Sequence, residues 1–282
     1  MNNKPYFSIV IPLYNKEKTI LRTLESVFNQ DYHNYEVVII DDGSSDSSCE
    51  IVEGLHDERV HLYKQKNSGP GVARNHGVEK SKGDWILLLD ADDRLLPNAL
   101  RQFMELILHY PTISCFACNF YFYVNKDTKI LYSNHYHNGV VKDNFKAWCL
   151  KKLMPRTGAS VFRKEILLSY TYNTNYRRFE DADLIFRLFK NYKFVTNSYP
   201  VLEYDLTERN ASLPLAEPEK DYCTQLKISN TSYWEKVAMY PLFQQALYLY
   251  AGAVKNIKFP LNVIMGDLYC RIIHKIDSII RR

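Results

Sequence analysis

The stretch Trp85-Ile86-Leu87-Leu88-Leu89-Asp90-Ala91-Asp92-Asp93 joins an unbroken apolar run directly to three carboxylates. A short run of this kind is typical of a strand that is buried on both faces. Two similar runs precede it, at residues 7–13 and 37–40. Together the three runs predict a parallel sheet that is covered on both sides.

Helical patterns separate these runs. Apolar residues recur at helical spacing in residues 20–28, a helix is predicted over residues 71–80, and another begins at Pro97. Strands that alternate with helices predict an α/β fold with a Rossmann-like, mostly parallel central sheet and helices on both faces. After about Pro111 the pattern changes to aromatic strands and irregular loops, which predicts a mixed second half.

The composition excludes several classes of protein. The 282 residues carry a net charge of only +4, whereas duplex-binding proteins usually show a stronger, clustered excess, so no nucleic-acid partner is expected. The N-terminal residues do not resemble a signal peptide, and no apolar stretch has the length that spans a bilayer. These features predict a cytoplasmic protein.

Two of the six cysteines, Cys115 and Cys118, have the C-x-x-C spacing of redox and zinc sites. They lie in a strand-like run, in which residues three apart point to opposite faces. No second pair follows at metal-binding spacing. We therefore expect two ordinary core thiols in a reducing cytoplasm.

Carboxylates follow two of the predicted strands at the point where each strand ends, in Asp41-Asp42-Gly43-Ser44 and in Asp90-Ala91-Asp92-Asp93. Ligands of parallel α/β sheets bind beyond the carboxyl ends of the strands, so all these carboxylates are expected at one edge. Such crowding is costly without a positive partner, and oxygen ligands suit Mg²⁺ or Mn²⁺. The alternatives are a turn with a helix cap for the first segment and a solvated acidic turn for the second.

Two further segments carry candidate functional groups. Residues 65–75 form a glycine-containing loop that leads into a helix with Arg74, and free N–H groups of that helix would suit a diphosphate. The alternative is a loop with a surface arginine. Glu180 and Asp181 open another predicted helix, either as a general base at the mouth of a cleft or as simple complements to the helix dipole.

Five motifs in this order resemble those of family 2, the inverting nucleotide-sugar glycosyltransferases with the A-type fold. They lie at residues 7–15, 38–46, 67–75, 89–93 and 180–181. The similarity extends over about residues 6–210 and is dense only to about residue 110. It implies transfer of a sugar from a nucleotide-diphosphate donor, with UDP preferred, to a glycan or lipid-linked acceptor in capsule, lipopolysaccharide or other surface-polysaccharide synthesis.

The resemblance also implies a domain organisation. Residues 1–215 would form the catalytic domain, with a nucleotide-binding half at 1–110 and an acceptor-binding half at 111–215. Residues 216–282 would form a helical extension.

The donor-side residues receive roles from the same resemblance. Pro12 and Tyr14 would line the base pocket, with Tyr14 packed on the nucleobase, and Asp42 would hydrogen-bond the base. Asp90 would lie near the ribose or the metal. The predicted donor site also includes Asn15, Glu17, Gly69, Arg74, Asn75, Ala91 and Asp92.

The reaction centre is implied in the same way. Asp92, with Asp93 close by, would approach the Mn²⁺ or Mg²⁺ that bridges the donor diphosphate, and Asp181 would be the catalytic base. Glu180 would bind the acceptor or cap its helix. Many relatives have a histidine after the catalytic helix, but residues 204–212 contain none, which makes Arg209 the candidate for the diphosphate.

The C-terminal segment combines apolar residues at helical spacing with basic residues. It predicts a helix that packs on the catalytic domain or on a second subunit in a homodimer. The alternative is a peripheral amphipathic helix on the anionic inner face of the cytoplasmic membrane, where a lipid-linked acceptor would be found.

Other functions are less consistent with these residues. A nucleotide-sugar-binding protein without catalysis is disfavoured by intact Asp92 and Asp181. A nucleotidyltransferase usually carries a basic, glycine-rich loop after its first strand, and residues 12–17 contain no glycine. The same region lacks G-x-G-x-x-G, which disfavours a dinucleotide oxidoreductase.

Overall fold

The computed structural model describes residues 4–207, 217–250 and 259–280. Its strands are β1 (Phe7–Leu13), β2 (Tyr35–Asp41), β3 (Val60–Lys64), β4 (Trp85–Leu88), β5 (Arg94–Leu95), β6 (Cys115–Asn125), β7 (Thr128–Leu131), β8 (Gly139–Val140), β9 (Ser160–Arg163) and β10 (Phe194–Asp205). Its α-helices are α1 (Ile20–Phe28), α2 (Ser48–Glu53), α3 (Pro70–Lys80), α4 (Ala99–His109), α5 (Asn144–Cys149), α6 (Lys164–Ser169), α7 (Glu180–Asn191), α8 (Tyr233–Leu249) and α9 (Leu261–Ile280). Two short 3₁₀ turns, Pro218–Lys220 and Tyr222–Thr224, precede α8.

A ten-stranded sheet runs through the molecule in the order β3-β2-β1-β4-β9-β6-β10-β5, with β7 paired to β6 and β8 to β10. The four strands β3, β2, β1 and β4 are parallel to one another. Parallel neighbours need crossover connections, and α1, α2 and α3 provide them. The carboxyl ends of these four strands therefore meet at one edge of the sheet.

The α/β fold is confirmed, but the parallel arrangement is confined mainly to the first half. β9 runs antiparallel to both β4 and β6, and β5, β7 and β8 also pair antiparallel with their neighbours. β6 and β10 form one further parallel pair. The connections explain part of the difference, because a loop as short as the one between β6 and β7 can join only antiparallel strands.

Alternate strand residues point into two hydrophobic clusters, one on each face of the sheet. On β1, Val10 packs in the cluster with α3 and α5–α9, while Ile9 and Ile11 pack in the cluster with α1, α2 and α4. Both faces are thus buried, which explains the continuous apolar runs in the sequence. Cys115 and Cys118 are buried in different clusters, which confirms two core thiols.

The C-terminal helices pack on the first of these faces. Val237 and Phe243 of α8 and Val263 and Cys270 of α9 belong to the same buried cluster as α3 and α7. This packing agrees with the first prediction for the segment, a helix that rests on the catalytic domain. The predicted domain boundary at residue 215 lies outside the described residues. Across the described ranges, no helix is both long and apolar enough to cross a bilayer.

Candidate active site

Hydrogen bonds join the turns after β1 and β2 at the carboxyl edge of the sheet. The Asn15 N–H donates to Ser44 Oγ (3.1 Å), and the Asn15 carboxamide oxygen accepts from the Ser45 N–H (2.8 Å). The Glu17 carboxylate accepts from the Ser47 N–H at 3.1 Å. Asn15 and Glu17, both predicted to bind the donor, therefore fix the shape of the two turns.

Pro12 and Tyr14 lie at the end of β1. Pro12 is partly buried and pairs in register with Ile40 of β2. Tyr14 is 48% exposed, so its ring is available to stack on a planar ligand. This exposure is compatible with a base pocket, although the role of Tyr14 stays a prediction.

Asp42 holds the glycine loop in place. Its Oδ1 accepts from Gln65 Nε2 and from the Ser68 N–H, and its Oδ2 accepts from the Gly69 N–H, each at 2.8 Å. Asp42 is 4% exposed, and Gly69 has a φ of +94° that favours glycine. The N–H groups of Ser68 and Gly69, which precede α3, are thus bound by an internal carboxylate, and the diphosphate contact expected of the helix N–H groups stays a prediction.

Arg74 is buried between two carboxylates. Its Nη1 lies 3.1 Å from Glu180 Oε1 and its Nη2 lies 2.8 Å from Asp90 Oδ1. The adjacent Asn75 donates to the C=O of Tyr172 (2.9 Å) and accepts from its N–H (2.8 Å). The surface-arginine alternative is therefore wrong, and both residues predicted to contact the donor make internal contacts.

The turn after β4 is held from two sides. Asp90 Oδ2 accepts from Thr157 Oγ1 at 2.9 Å. The C=O of Ala91 accepts from the hydroxyls of Thr19 (2.8 Å) and Thr23 (3.0 Å) on and beside α1. Ala91, placed in the donor site by sequence, thereby anchors the acidic turn to α1.

Asp93 turns into the protein interior. It is fully buried, its Oδ1 accepts from the Asp205 N–H at 2.9 Å, and its Oδ2 has no hydrogen-bond partner among the described residues. Burial, together with the charges of Asp90 and Asp92, raises the pKa of Asp93 well above its ordinary value. Asp93 is thus buried beside the edge, and its predicted metal role stays a prediction.

Asp92 is the acid of this turn that fits a divalent cation. Its side chain is 24% exposed, and its Oδ2 lies 2.6 Å from Lys16 Nζ. Among the residues that the structure describes, no three His, Cys, Asp or Glu side chains form a group that could hold a metal ion. A single carboxylate can hold a divalent cation together with substrate phosphates, and such a role of Asp92 stays a prediction.

The two acids at the start of α7 lie in different environments. Glu180 is 8% exposed and pairs with Arg74, whereas Asp181 is exposed. Burial, opposed by the charge of Arg74, raises the pKa of Glu180. Helical neighbours are about 100° apart around the axis, which explains why only one of the two faces solvent. Asp181 is thus the acid of this pair that is open to solvent.

Sequence reasoning missed three residues at this edge. Lys16 and Thr157 bind the acidic turn, and the Arg156 guanidinium lies 3.5 Å from the ring centroid of Tyr204. Against the effect of burial, Arg74 and then Arg156 lower the pKa of Asp90. None of the three lies in a recognised motif, so only their three-dimensional contacts reveal them. Arg209 lies outside the described residues.

A model of the family described as glycosyl transferase family 2 matches residues 8–171, more than half of the chain. The chain belongs to glycosyl transferase family 2. The matched residues include the turns after β1, β2 and β4 and the glycine loop, and they end before α7. Membership of family 2 therefore rests on residues 8–171, while the placement of Glu180 and Asp181 rests on the structure.

Sequence relatives in this family have various descriptions. An uncharacterised glycosyltransferase of Haemophilus influenzae is 41% identical over 109 residues, which are 38% of this chain and 44% of that protein. The minor teichoic acid biosynthesis protein GgaA of Bacillus subtilis is 31% identical over 191 residues, 62% of this chain and 41% of that protein. The aligned segments span less than half of either relative.

Solved structures share the fold at low sequence identity. TarS 1–349 of S. aureus in complex with UDP-GlcNAc has a TM-score of 0.69 and 17% identity, covering 94% of this chain and 79% of that chain. The mannosyltransferase PcManGT of Pyrobaculum calidifontis, in complex with GDP-Man and Mn²⁺, has a TM-score of 0.59 and 16% identity, covering 96% and 71%. These likenesses confirm the A-type glycosyltransferase architecture.

Proposed function

We propose that the protein is an inverting glycosyltransferase that transfers a sugar from a nucleotide-diphosphate donor to a hydroxyl acceptor. A UDP-sugar is the first candidate for the donor. One observation carries this proposal: Arg74 bonds to Asp90 and Glu180 at once, so the acidic turn after β4 lies beside the start of α7, where Asp181 is exposed. A donor at the turn and an acceptor at Asp181 would therefore meet. The UDP-GlcNAc complex of TarS, which has a similar fold, supports the choice of nucleotide.

Asp181 acts as the general base in this proposal. An acceptor hydroxyl is a weak nucleophile while it keeps its proton, and a carboxylate within hydrogen-bond reach takes the proton as the new bond forms. The acceptor oxygen attacks the anomeric carbon from the face opposite the nucleoside diphosphate. The bond to the diphosphate breaks and its electron pair leaves with the phosphate oxygen, so the configuration inverts.

We propose Mn²⁺ or Mg²⁺ as the cofactor, held by Asp92 and the donor phosphates. A divalent cation supplies positive charge that stabilises the leaving diphosphate. Cation sites that combine one or two carboxylates with substrate phosphates are common. Lys16 Nζ lies 2.6 Å from Asp92 Oδ2 and supplies positive charge next to the same carboxylate. The Mn²⁺ and GDP-Man complex of PcManGT supports this choice of cofactor.

We further propose a glycan or lipid-linked acceptor in the synthesis of a surface polysaccharide, with capsule and lipopolysaccharide among the candidates. The relative GgaA is described as a teichoic acid biosynthesis protein, which supports this class of acceptor. Transfer to a lipid-linked acceptor would require the protein to bind at the inner face of the cytoplasmic membrane.

The outer side of α9 is the proposed membrane contact. Leu261, Met265, Tyr269 and Ile272 are each about half exposed or more. Arg271 lies on the same helix with its side chain 53% exposed, although it also pairs with Asp267 at 2.7 Å. Cationic groups beside an apolar stripe suit an anionic bilayer surface. A second copy of the chain, in a homodimer, is the other partner that such a surface fits.

A panel of nucleotide sugars with Mn²⁺ tests the proposed function. Thermal stabilisation reports binding, because a ligand of the folded state raises stability with the logarithm of its concentration, and release of the nucleoside diphosphate reports turnover. We expect a UDP-sugar to bind and to be consumed. Binding without consumption would favour the nucleotide-sugar-binding alternative. Consumption only when pyrophosphate is added, with formation of a nucleoside triphosphate and a sugar 1-phosphate, would favour a nucleotidyltransferase.

Asp181→Asn provides the site-specific arm of this test. It should bind the same donor and fail to consume it. Glu165→Gln is the matched control, because Glu165 is also an exposed acid in the first turn of a helix, α6. Equal turnover of the two variants would contradict the assignment of the base.

A further inference from the structure

We propose that Arg74 is a positioning residue that ties the start of α7 to the acidic turn after β4 and thereby places Asp181, acting through Glu180. This inference rests on the proposed function for its catalytic meaning. It differs from the sequence-based role of Arg74 as a direct donor ligand. The link consists of the residues Asp90, Arg74 and Glu180 and is called the Arg74 link below.

In the Arg74 link, one guanidinium bridges two carboxylates. Nη2 binds Asp90 Oδ1 at 2.8 Å and Nη1 binds Glu180 Oε1 at 3.1 Å, so one planar guanidinium spans two chain segments. Arg74 is 7% exposed and its guanidinium lies 5.3 Å from the ring centroid of Tyr172. A fork of fixed shape can hold two carboxylates at a set separation, which an ammonium group does not do.

A second contact points the same way. Asn75, the next residue on α3, makes both a donor and an acceptor bond with the backbone of Tyr172, in the segment that leads to α7. Glu180 follows Phe179, whose φ of 55° lies in the left-handed backbone region that few residues with side chains adopt. Two adjacent residues of α3 therefore hold this part of the chain, Arg74 at the first residue of α7 and Asn75 at Tyr172 in the preceding segment, and Asp181 follows Glu180 directly.

The charges of Arg74, Asp90 and Glu180 stabilise the Arg74 link. Burial disfavours the charge of Arg74, but the charges of Asp90 and Glu180 and the hydrogen bond that Arg74 donates to Asp90 raise its pKa well above the ordinary value. Burial raises the pKa of Glu180, and the charge of Arg74 opposes this rise. Removal of Arg74 alone would leave two carboxylates close together without their partner, and such a variant is expected to fold poorly.

Glu180→Gln is therefore the informative variant, because it keeps the shape and one hydrogen bond to Arg74. Glu36→Gln is its matched control: Glu36 is 1% exposed and accepts from Ser8 Oγ at 2.6 Å, but it lies at the opposite end of β2. UDP affinity is measured by calorimetry, and turnover is measured as UDP release from the best donor of the panel without added acceptor. Water then replaces the acceptor, so a direct acceptor contact of Glu180 cannot affect the rate.

We expect Glu180→Gln to lower kcat by roughly tenfold to a hundredfold, the scale of a displaced reacting group, and to change the Kd of UDP by less than about twofold. Glu36→Gln should change neither value. Adding Glu180→Gln to Asp181→Asn should cost little more than Asp181→Asn alone, because the link acts through Asp181. Fully additive losses in the double variant would overturn the inference.

The pair Arg74→Gln with Glu180→Gln separates positioning from donor binding. Both charges of the buried pair are removed together, which limits the cost to folding. If Arg74 is a positioning residue, the double variant binds UDP as the wild type does. If it binds the diphosphate directly, loss of a charged hydrogen bond weakens UDP binding about tenfold or more, which would refute the inference.

Hydrogen exchange tests the link without any substrate. Amides of residues 172–183 should exchange faster in Glu180→Gln than in the wild type or in Glu36→Gln. Unchanged exchange would show that the Arg74 link does not hold α7. If the wild type consumes no nucleotide sugar while exchange changes as expected, the proposed function fails and the link stands.

Discussion

Asp42→Asn is the substitution whose effect follows most directly from the structure. The carboxylate accepts three hydrogen bonds of 2.8 Å, from Gln65 Nε2 and from the N–H groups of Ser68 and Gly69. A carboxamide has one oxygen, so its NH₂ group must face either Gly69 or the other two donors. At least one buried N–H then loses its acceptor and meets another donor.

The size of the loss can be worked out from these contacts. A hydrogen bond to a charged group contributes about 1.5–3 kcal/mol, and the lower desolvation cost of the amide offsets part of it. We expect Asp42→Asn to lower the free energy of unfolding by about 2 kcal/mol. In a chain of this size that corresponds to a Tm decrease of roughly 3–4 °C.

The assay is thermal unfolding of the ligand-free protein, which separates the loop from any contact with a nucleobase. Asp41→Asn is the control, because Asp41 Oδ1 accepts one N–H, from Ser44 at 3.1 Å, and an amide oxygen can keep that bond. We expect a clearly smaller Tm change for the control. Equal Tm values for the two variants would refute the reasoning that Asp42 holds the glycine loop.

Three further predictions concern the reaction and its setting. Asp181→Asn should reduce kcat by at least about a hundredfold, with UDP affinity by calorimetry unchanged; a near-normal rate would show that another group is the base. Mn²⁺ binding, followed by electron paramagnetic resonance, should be weak for the protein alone and stronger with UDP, and Asp92→Asn should abolish the gain; full transfer in excess chelator would exclude the proposed cation. The double variant Met265→Glu, Tyr269→Glu should sediment less with anionic vesicles, while its Kd for UDP stays constant. A change from dimer to monomer in light scattering would instead assign the α9 surface to a second copy of the chain.

The first half of the fold could be predicted because its strands are buried on both faces. β1, β2 and β4 appear as continuous apolar runs, and the helices between them follow their own periodicity. The place of β9 between β4 and β6 could not be predicted in this way. Its four residues pair with strands that lie far away in the sequence, so the pattern of neighbouring residues does not predict the pairing.

The location of the candidate site was predictable, but the direction of its side chains was not. Parallel strands bring Asp42 and Asp92 to one edge whatever the details of packing. By contrast, Arg74 resembles a phosphate ligand in the sequence, and only the positions of Asp90 and Glu180 in the fold show that it is bound internally. Asp93 is a similar case, because its burial depends on β10, more than a hundred residues later.

The central claim, inverting transfer with Asp181 as base, is tested most directly by proton NMR of the fresh product. An α-linked UDP-sugar from the panel is incubated with the protein and Mn²⁺, and spectra are recorded before a released free sugar can mutarotate. Attack from the face opposite the diphosphate predicts that the β-anomer appears first. First appearance of the α-anomer would contradict the mechanism.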